Sequence, residues 1–284
     1  MILPYLVEAT SGGECKMDIP FSRWYAAIGT RRSRRQFDPT KPIPDHLLTE
    51  LRTVCAEFKP YPHARAELVT EHCNEVFKGA IGSYGKIKCA QAFIAFIGDT
   101  TSKNFQETTG YTGEGIILEA TALNLATCWV AGFFRPQIVA SLVNIVENEK
   151  ILAVTPVGYA KEQESLEEKF MTGFGRTHER KPLYSLVTGL EENEWPEWVK
   201  IALEAARVSP SAVNRQPWSF YVQPNAITVS VRTRGAEFNV SKRLDCGIAM
   251  LHIEVAAMYS GIAGRWEFLD SPLVARFTVV SKNG

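Results

Sequence analysis

The chain has no excess of either charge. Its 31 Lys and Arg are matched by 31 Asp and Glu, for a formal net charge of zero. That argues against a nucleic-acid partner gathered by bulk electrostatics. Long apolar runs are missing too. None reaches the roughly 18 uninterrupted residues of a membrane span, so no membrane partner is expected. The opening Met1-Ile2-Leu3-Pro4-Tyr5-Leu6-Val7 is short and has no basic residues ahead of it, which makes a poor secretory signal. The six cysteines, Cys15, Cys55, Cys73, Cys89, Cys128 and Cys246, include no C-x-x-C pair. His72 adjoins Cys73, but no second pair completes a metal site, so neither a metal nor a disulfide framework is expected. Cys55, Cys89 and Cys128 lie in apolar surroundings and read as buried free thiols of a cytoplasmic protein. No Ser-His-Asp constellation or paired carboxylates stand out, and no catalytic side chain is assigned.

What is present suits one large domain or two modest ones in 284 residues. Met17 stands just before the first helical pattern, so residues 1–17 are set aside as an N-terminal extension. Asp18 can cap a helix with Pro20 in its first turn. Phe21, Trp24, Tyr25 and Ile28 recur at helical spacing, and Gly29 marks an end. A second helix follows Pro44, with Asp45 as its cap and Leu47, Leu48, Leu51, Val54, Cys55 and Phe58 as its apolar face. Strands are predicted at 67–69, 91–98, 151–159, 219–222 and 226–231. The run from Ile116 to Ala126 predicts a helix apolar on nearly every side, which belongs in a core. The charged stretch Glu162 to Lys169 is expected to leave the core.

Two stretches carry chemistry. After the first helix comes Arg31-Arg32-Ser33-Arg34-Arg35-Gln36-Phe37. By charge alone this is a solvated basic run. Guanidinium forks and a hydroxyl in a short loop also suit a phosphate monoester. Far downstream, the helix predicted at Pro196–Arg207 is stopped near Pro210. There Ser209-Pro210-Ser211-Ala212-Val213-Asn214-Arg215-Gln216-Pro217-Trp218 leads from helix to strand through small residues and two amides. It reads either as a connection with good turn chemistry or as a place where backbone approaches a flat, polar-edged molecule.

Pro-Ser-x-x-Asn-x-Gln-Pro-Trp resembles the flavin-covering loop of the nitroreductase family, and Arg-Arg-Ser-x-Arg-x-Phe resembles that family's phosphate motif. The resemblance implies an α+β nitroreductase-like fold and an FMN-dependent NAD(P)H oxidoreductase. Such an enzyme passes hydride through flavin N5 to nitroaromatic, quinone or similar small acceptors. It also implies roles for individual residues. Arg31 and Ser33 would hold the FMN phosphate with Arg32 nearby, and Arg35 would face the ribityl chain and the pyrimidine edge. Ala131 and Gly132 would lie beside N5, and Arg180 of Arg-Lys-Pro-Leu would join the phosphate site. Pro210, Ser211, Ala212, Asn214 and Gln216 would cover the ring. Arg34 is expected to face solvent. A Gly-containing turn at 131–132 and a surface basic pair at 180–181 are the plainer alternatives. Many relatives carry Glu or Gly where this chain has Ala131, so only a backbone role carries over there, and a non-catalytic FMN-binding protein stays open as the second reading.

The order of the motifs departs from the family. The first half has the phosphate motif but Lys59-Pro60-Tyr61-Pro62 where the covering loop would stand. The second half has that loop and no phosphate motif. Gly110 and Gly247, Ile116 and Ile253, Ala120 and Ala257, Ala126 and Ala263, and Trp129 and Trp266 all match at one offset, an internal repeat of about a domain's length. The expected architecture is two tandem halves, 18–184 and 185–284, forming a pseudo-dimer with mixed sheets flanked by helices. Such a chain would act as a monomer holding one FMN.

Overall fold

The computed structural model describes residues 17–78, 87–161, 179–232 and 240–280. Residues 1–16 and the stretch Glu162 to Lys169 lie outside them.

Among the described residues the first sheet contains β1 (Ala64–Val69), β2 (Ala92–Asp99), β3 (Ala126–Thr127) and β4 (Glu149–Gly158), in the order β1-β2-β4-β3. Its strands pair antiparallel. The second contains β5 (Val187–Gly189), β6 (Trp218–Gln223), β7 (Ala226–Val231), β8 (Gly264–Phe268) and β9 (Leu273–Val279), in the order β5-β6-β7-β9-β8. The stretch β6-β7-β9-β8 repeats the order of the first sheet. Strand β5 adds itself parallel to β6 and makes this sheet mixed.

β2 shows why its sequence is an unbroken apolar run. Ile94 and Phe96 enter the main core, while Phe93, Ala95 and Ile97 enter a smaller one with Val76, Phe77, Val139 and Val143. A strand with both faces covered has no polar side to show.

The main core is organised by two helices, α4 (Phe105–Ala122) and α7 (Lys242–Tyr259), each of 18 residues. The offset that matches Gly110 to Gly247 relates these two helices end to end. Both end in the same motif. Asn124, at φ 59°, donates to Thr121 O, and Leu125 N reaches Ala120 O. Gly261, at φ 76°, donates to Met258 O, and Ile262 N reaches Ala257 O. These paired bonds satisfy the last carbonyls and turn the chain out of the helix. Hence the first helix stops at Ala122, short of the expected 126, and 126–127 is strand.

The helices cross at glycines. A Cβ on Gly110 would overlap the carbonyl oxygen of Leu244, and one on Gly247 would overlap that of Glu107. Glu107 and Leu244 are related by the same offset, so the contact is reciprocal. Beside it, Arg243 binds the buried Glu107 through Nε (3.0 Å) and Nη2 (2.6 Å).

α1 (Phe21–Thr30) lies against this pair, burying Trp24, Ala27 and Ile28. Trp24 donates to Glu119 Oε2 at 2.7 Å. Tyr25 stacks on Tyr259 with ring centroids 4.1 Å apart. α2 (Asp45–Glu57) and α6 (Glu197–Arg207) occupy corresponding places before β1 and β6. α3 (Cys73–Phe77) and α5 (Pro136–Leu142) border the smaller core. Neither Asp18 nor Asp45 caps a helix. Pro20 and Pro44 take the N-cap positions, without a side-chain cap, and Asp45 is already the first helical residue. α1 runs through Gly29 to Thr30. Cys55, Cys73, Cys128 and Cys246 are buried free thiols, but Cys89 is exposed. It sits at φ 60°, on a segment whose neighbour Lys88 bonds the backbone of Arg35 and Phe37. No helix of the described residues is long and apolar enough to cross a membrane.

Candidate functional site

The loop leaving α1 is held from two sides. Ser33 bridges Thr127, and Arg34 N donates to Thr127 O at 2.8 Å. Phe37 N donates to Lys88 O, and Lys88 N to Arg35 O. The loop therefore presents fixed side chains. Arg31 is buried, with Nη1 3.4 Å from Ser33 Oγ. Burial lowers its pKa, outweighing the pull of Glu114. Arg32 is exposed and turns back to donate to Gly29 O and Arg31 O. Arg35 is half-buried. Arg34 is half-buried too, rather than fully in solvent, and reaches Lys161 O at 2.7 Å.

The second stretch is a strained loop. Ala212–Asn214 form a single 3-10 turn after α6, and Val213, Asn214 and Gln216 have φ of 49°, 52° and 47°. Left-handed backbone costs a residue with a Cβ about 1–2 kcal/mol, and a β-branched residue such as Val213 is rarely found there. Strain of this kind persists only where surrounding bonds over-determine it, and it gathers at functional sites. Here the bonds come from the segment Glu179-Arg180-Lys181. Gln216 Oε1 accepts from Lys181 N at 2.8 Å, and its Nε2 donates to Glu179 O at 3.1 Å. Asn214 Nδ2 donates to Glu179 O, and Asn214 Oδ1 accepts from Arg180 Nη1 at 2.6 Å. Lys181 Nζ reaches the carbonyls of Arg215 and Gln216. Ser211 Oγ accepts from Gln216 N, and Pro210 is buried. Both amides thus fasten the loop to its neighbour and hold Arg180 in place.

Arg180 lands among other cations. Its pKa is pushed down to about 10, first by burial and then by the nearby guanidiniums of Arg31, Arg207 and Arg32. Like charges gathered in this way suit a multivalent anion. Arg31 and Arg180, far apart in sequence, are brought to one place.

The loop also meets the turn after β3. Arg215 Nε binds Asp245 Oδ2 at 2.7 Å and Nη2 donates to Val240 O. A Cβ on Gly132 would lie 3.8 Å from Val240 Cγ2 and otherwise in open space. Ala131 is half-buried and Gly132 exposed. Asp245 also accepts from Ala212 N, and burial pushes its pKa up to about 6 against the pull of Arg215. Ser209 Oγ and Arg215 Nη1 are buried with no hydrogen-bond partner among the described residues.

A family model described as "Putative TM nitroreductase" matches residues 23–257. The chain belongs to the nitroreductase family. The solved structure described as a "putative nitroreductase" from Thermotoga maritima MSB8 shares the fold at TM-score 0.63 and 16% identity, covering 95% of this chain and 97% of that one. A nitroreductase with bound FMN from Bacteroides fragilis NCTC 9343 is 23% identical, covers 50% of this chain and 91% of its own, and superposes at TM-score 0.40. A family protein from Clostridium difficile 630 is 20% identical, covering 58% and 96%, at TM-score 0.42. No curated protein matches.

A phosphate monoester on a planar heterocycle fits the residues of this nitroreductase. The buried Arg31 and half-buried Arg180, with the Ser33 hydroxyl, suit a dianion. The exposed Gly132 has little side-chain bulk around it. The loop after α2, where the expected repeat would put a second covering loop, is packed with aromatic rings. Tyr61, in the loop after α2, packs against Tyr111 (centroids 5.2 Å) and Phe268 (5.3 Å). Tyr111 and Trp266 both donate to the buried Glu254.

Residues that sequence reading missed are Glu114, His252, Asp245, Arg215 and Lys181. The acids had one available signal: Glu114 and Glu119 flank the apolar run Ile116-Ile117-Leu118, and both are buried. Carboxylates in such places are almost always paired.

Proposed function

We propose that this nitroreductase is an FMN-dependent NAD(P)H oxidoreductase acting on small acceptors such as nitroaromatics and quinones. Its halves, 18–184 and 185–284, would form a pseudo-dimer with one flavin site between them. The observation that carries the reading is the meeting of Arg31 and Ser33 from the first half with Arg180 beneath the Ser211–Gln216 loop of the second. Arg31, Ser33 and Arg180 would hold the phosphate, with Arg32 adding positive potential at the rim. Arg35 would stabilise negative charge on the pyrimidine edge. Ala131 and Gly132 would offer backbone N–H groups beside N5, and Pro210–Ala212 would cover the ring. FMN, when bound, supplies the two-electron chemistry between nicotinamide and acceptor; the protein binds, orients and tunes it.

The test is flavin content of the purified protein, followed by NADH or NADPH oxidation with a nitro or quinone acceptor. Arg31→Ala and Ser33→Ala should each weaken FMN binding about tenfold to a hundredfold, the loss of a hydrogen bond to a charged group. Absence of flavin binding by the wild type would refute the reading. Ala131, which offers no carboxylate beside the ring, favours a second reading: a protein that binds FMN without useful turnover. Flavin binding without acceptor-dependent oxidation would select it.

A further inference from the structure

Arg31 stands beside a carboxylate that does not close on it. Glu114 is fully buried in α4, yet its Oε1 lies 3.9 Å from Arg31 Nε. Other arginines close on buried carboxylates, Arg215 on Asp245 at 2.7 Å and Arg243 on Glu107 at 2.6 Å. Two other donors occupy Glu114. His252 Nε2 is 3.0 Å from Oε1, and Trp129 Nε1 is 2.7 Å from Oε2. His252, on α7, is fixed from behind, because its Nδ1 is 2.8 Å from Ala205 O on α6. A carbonyl oxygen can only accept, so Nδ1 carries a hydrogen and a second proton is shared between Nε2 and Oε1. The carboxylate is thus held from α7 on one oxygen and from the turn after β3 on the other.

A closed Arg31–Glu114 pair would make shorter, better-aligned bonds. It would also spend the guanidinium on a partner inside the protein. Held off, the carboxylate orients Arg31 through Nε and leaves the Nη side, with its long 3.4 Å contact to Ser33, for an anion from outside.

We propose that His252, with Trp129, holds Glu114 back from Arg31, and that His252 is thereby a positioning residue that sets affinity for the flavin phosphate. The proposal rests on the FMN reading above. Removing the His252 ring leaves Oε1 as a buried charged oxygen in need of a donor, and Arg31 is the nearest cation. Closure would then compete with the phosphate and leave the ring site alone. Replacing Glu114 by Gln removes the competitor, while its amide can still accept from Trp129 and donate to His252.

Flavin-free wild type, His252→Leu, Glu114→Gln and the double variant are titrated with FMN and with riboflavin, which lacks the phosphate, by quenching of flavin fluorescence. In the wild type FMN should bind more tightly than riboflavin. His252→Leu should lose about tenfold in the FMN-to-riboflavin affinity ratio, the equivalent of about 1.4 kcal/mol. Glu114→Gln should match or exceed the wild-type ratio, and the double variant should recover it. An unchanged ratio in His252→Leu overturns the proposal. So does a lowered ratio in Glu114→Gln, the sign of an ordinary structural role. Should His252→Leu not fold, Trp129→Phe frees the other oxygen and should lower the ratio in the same direction; an unchanged ratio there overturns the proposal too. A wild type that binds no flavin overturns the FMN reading itself, whereas one that binds FMN with an insensitive ratio overturns this inference alone.

Discussion

Truncating Gln216 to Ala removes the clamp on the strained loop. Three residues are at positive φ, Val213, Asn214 and Gln216; asparagine tolerates this region, and the other two hold roughly 2–4 kcal/mol of backbone strain at about 1–2 kcal/mol each. The buried Gln216 amide opposes its release by accepting from Lys181 N and donating to Glu179 O and Asn214 O. After truncation Glu179 O keeps its bond from Asn214, but Lys181 N loses its partner. An orphaned group of this sort costs about 1–3 kcal/mol, which is of the same order as the strain held in check. The loop should therefore open locally while the core survives. Amide exchange at 179–181 and 211–217 should quicken about tenfold to a hundredfold, with the same factor lost in FMN affinity because Arg180 is no longer held by Asn214. The melting temperature should fall by no more than about 4 °C, since the lost bonds lie outside the core. Exchange mass spectrometry, a flavin titration and a thermal melt read the three quantities. Unchanged exchange at 179–181 together with unchanged FMN affinity would refute the clamp.

Gly110→Ala should destabilise the fold by about 1–3 kcal/mol or more, because the new methyl meets the backbone oxygen of Leu244 rather than a movable side chain; a denaturation midpoint equal to the wild type's would contradict that crossing. Flavin released from purified protein should amount to one FMN per chain, since Tyr61, Tyr111 and Phe268 pack together where the expected repeat would put a second covering loop; two per chain would be incompatible with this packing. Asp245 has a folded pKa raised to about 6, so its contribution to stability is present below about pH 4 and is lost as pH rises through 6, by up to about 3 kcal/mol. Asp245→Asn should remove that part of the slope, read as the difference between the two proteins' urea midpoints across pH 4 to 7; identical slopes would exclude Asp245 as its source.

Elements whose evidence is local were readable in the sequence. β2 and β4 are apolar runs, α6 ends before a proline, and the loop 209–216 is spelled out by its turn residues. The starts of α4 and α7 were not readable. Apolar periodicity begins near Gly110 and Gly247, whereas the helices begin at Phe105 and Lys242. Their first turns bury polar residues, Glu107 on Arg243 and Asp245 on Arg215, and a pattern search sees polar residues as surface. Strand β5 is three residues long and exists because β6 offers an edge. The motifs pointed to candidate residues but not to the bonds these make. Asn214 and Gln216 are expected from the motif to cover a ring, and in the fold their amides bond to Glu179–Lys181. Glu114 and His252 are 138 residues apart, so their pairing appears only once α4 and α7 cross.

The reciprocal crossing of Gly110 and Gly247 has a consequence for how such a protein can change. In a pair of identical subunits every substitution appears twice, once on each side of the axis. A tyrosine placed in one flavin pocket would plug both. Here the two sides of the crossing are encoded separately, so on the pseudo-dimer reading Tyr61 can fill one place while the Ser211–Gln216 loop borders the other. On the pseudo-dimer reading, the halves also meet at a local concentration fixed by the chain that joins them, however dilute the protein. The single site would then persist at dilutions where a site shared between two free subunits comes apart.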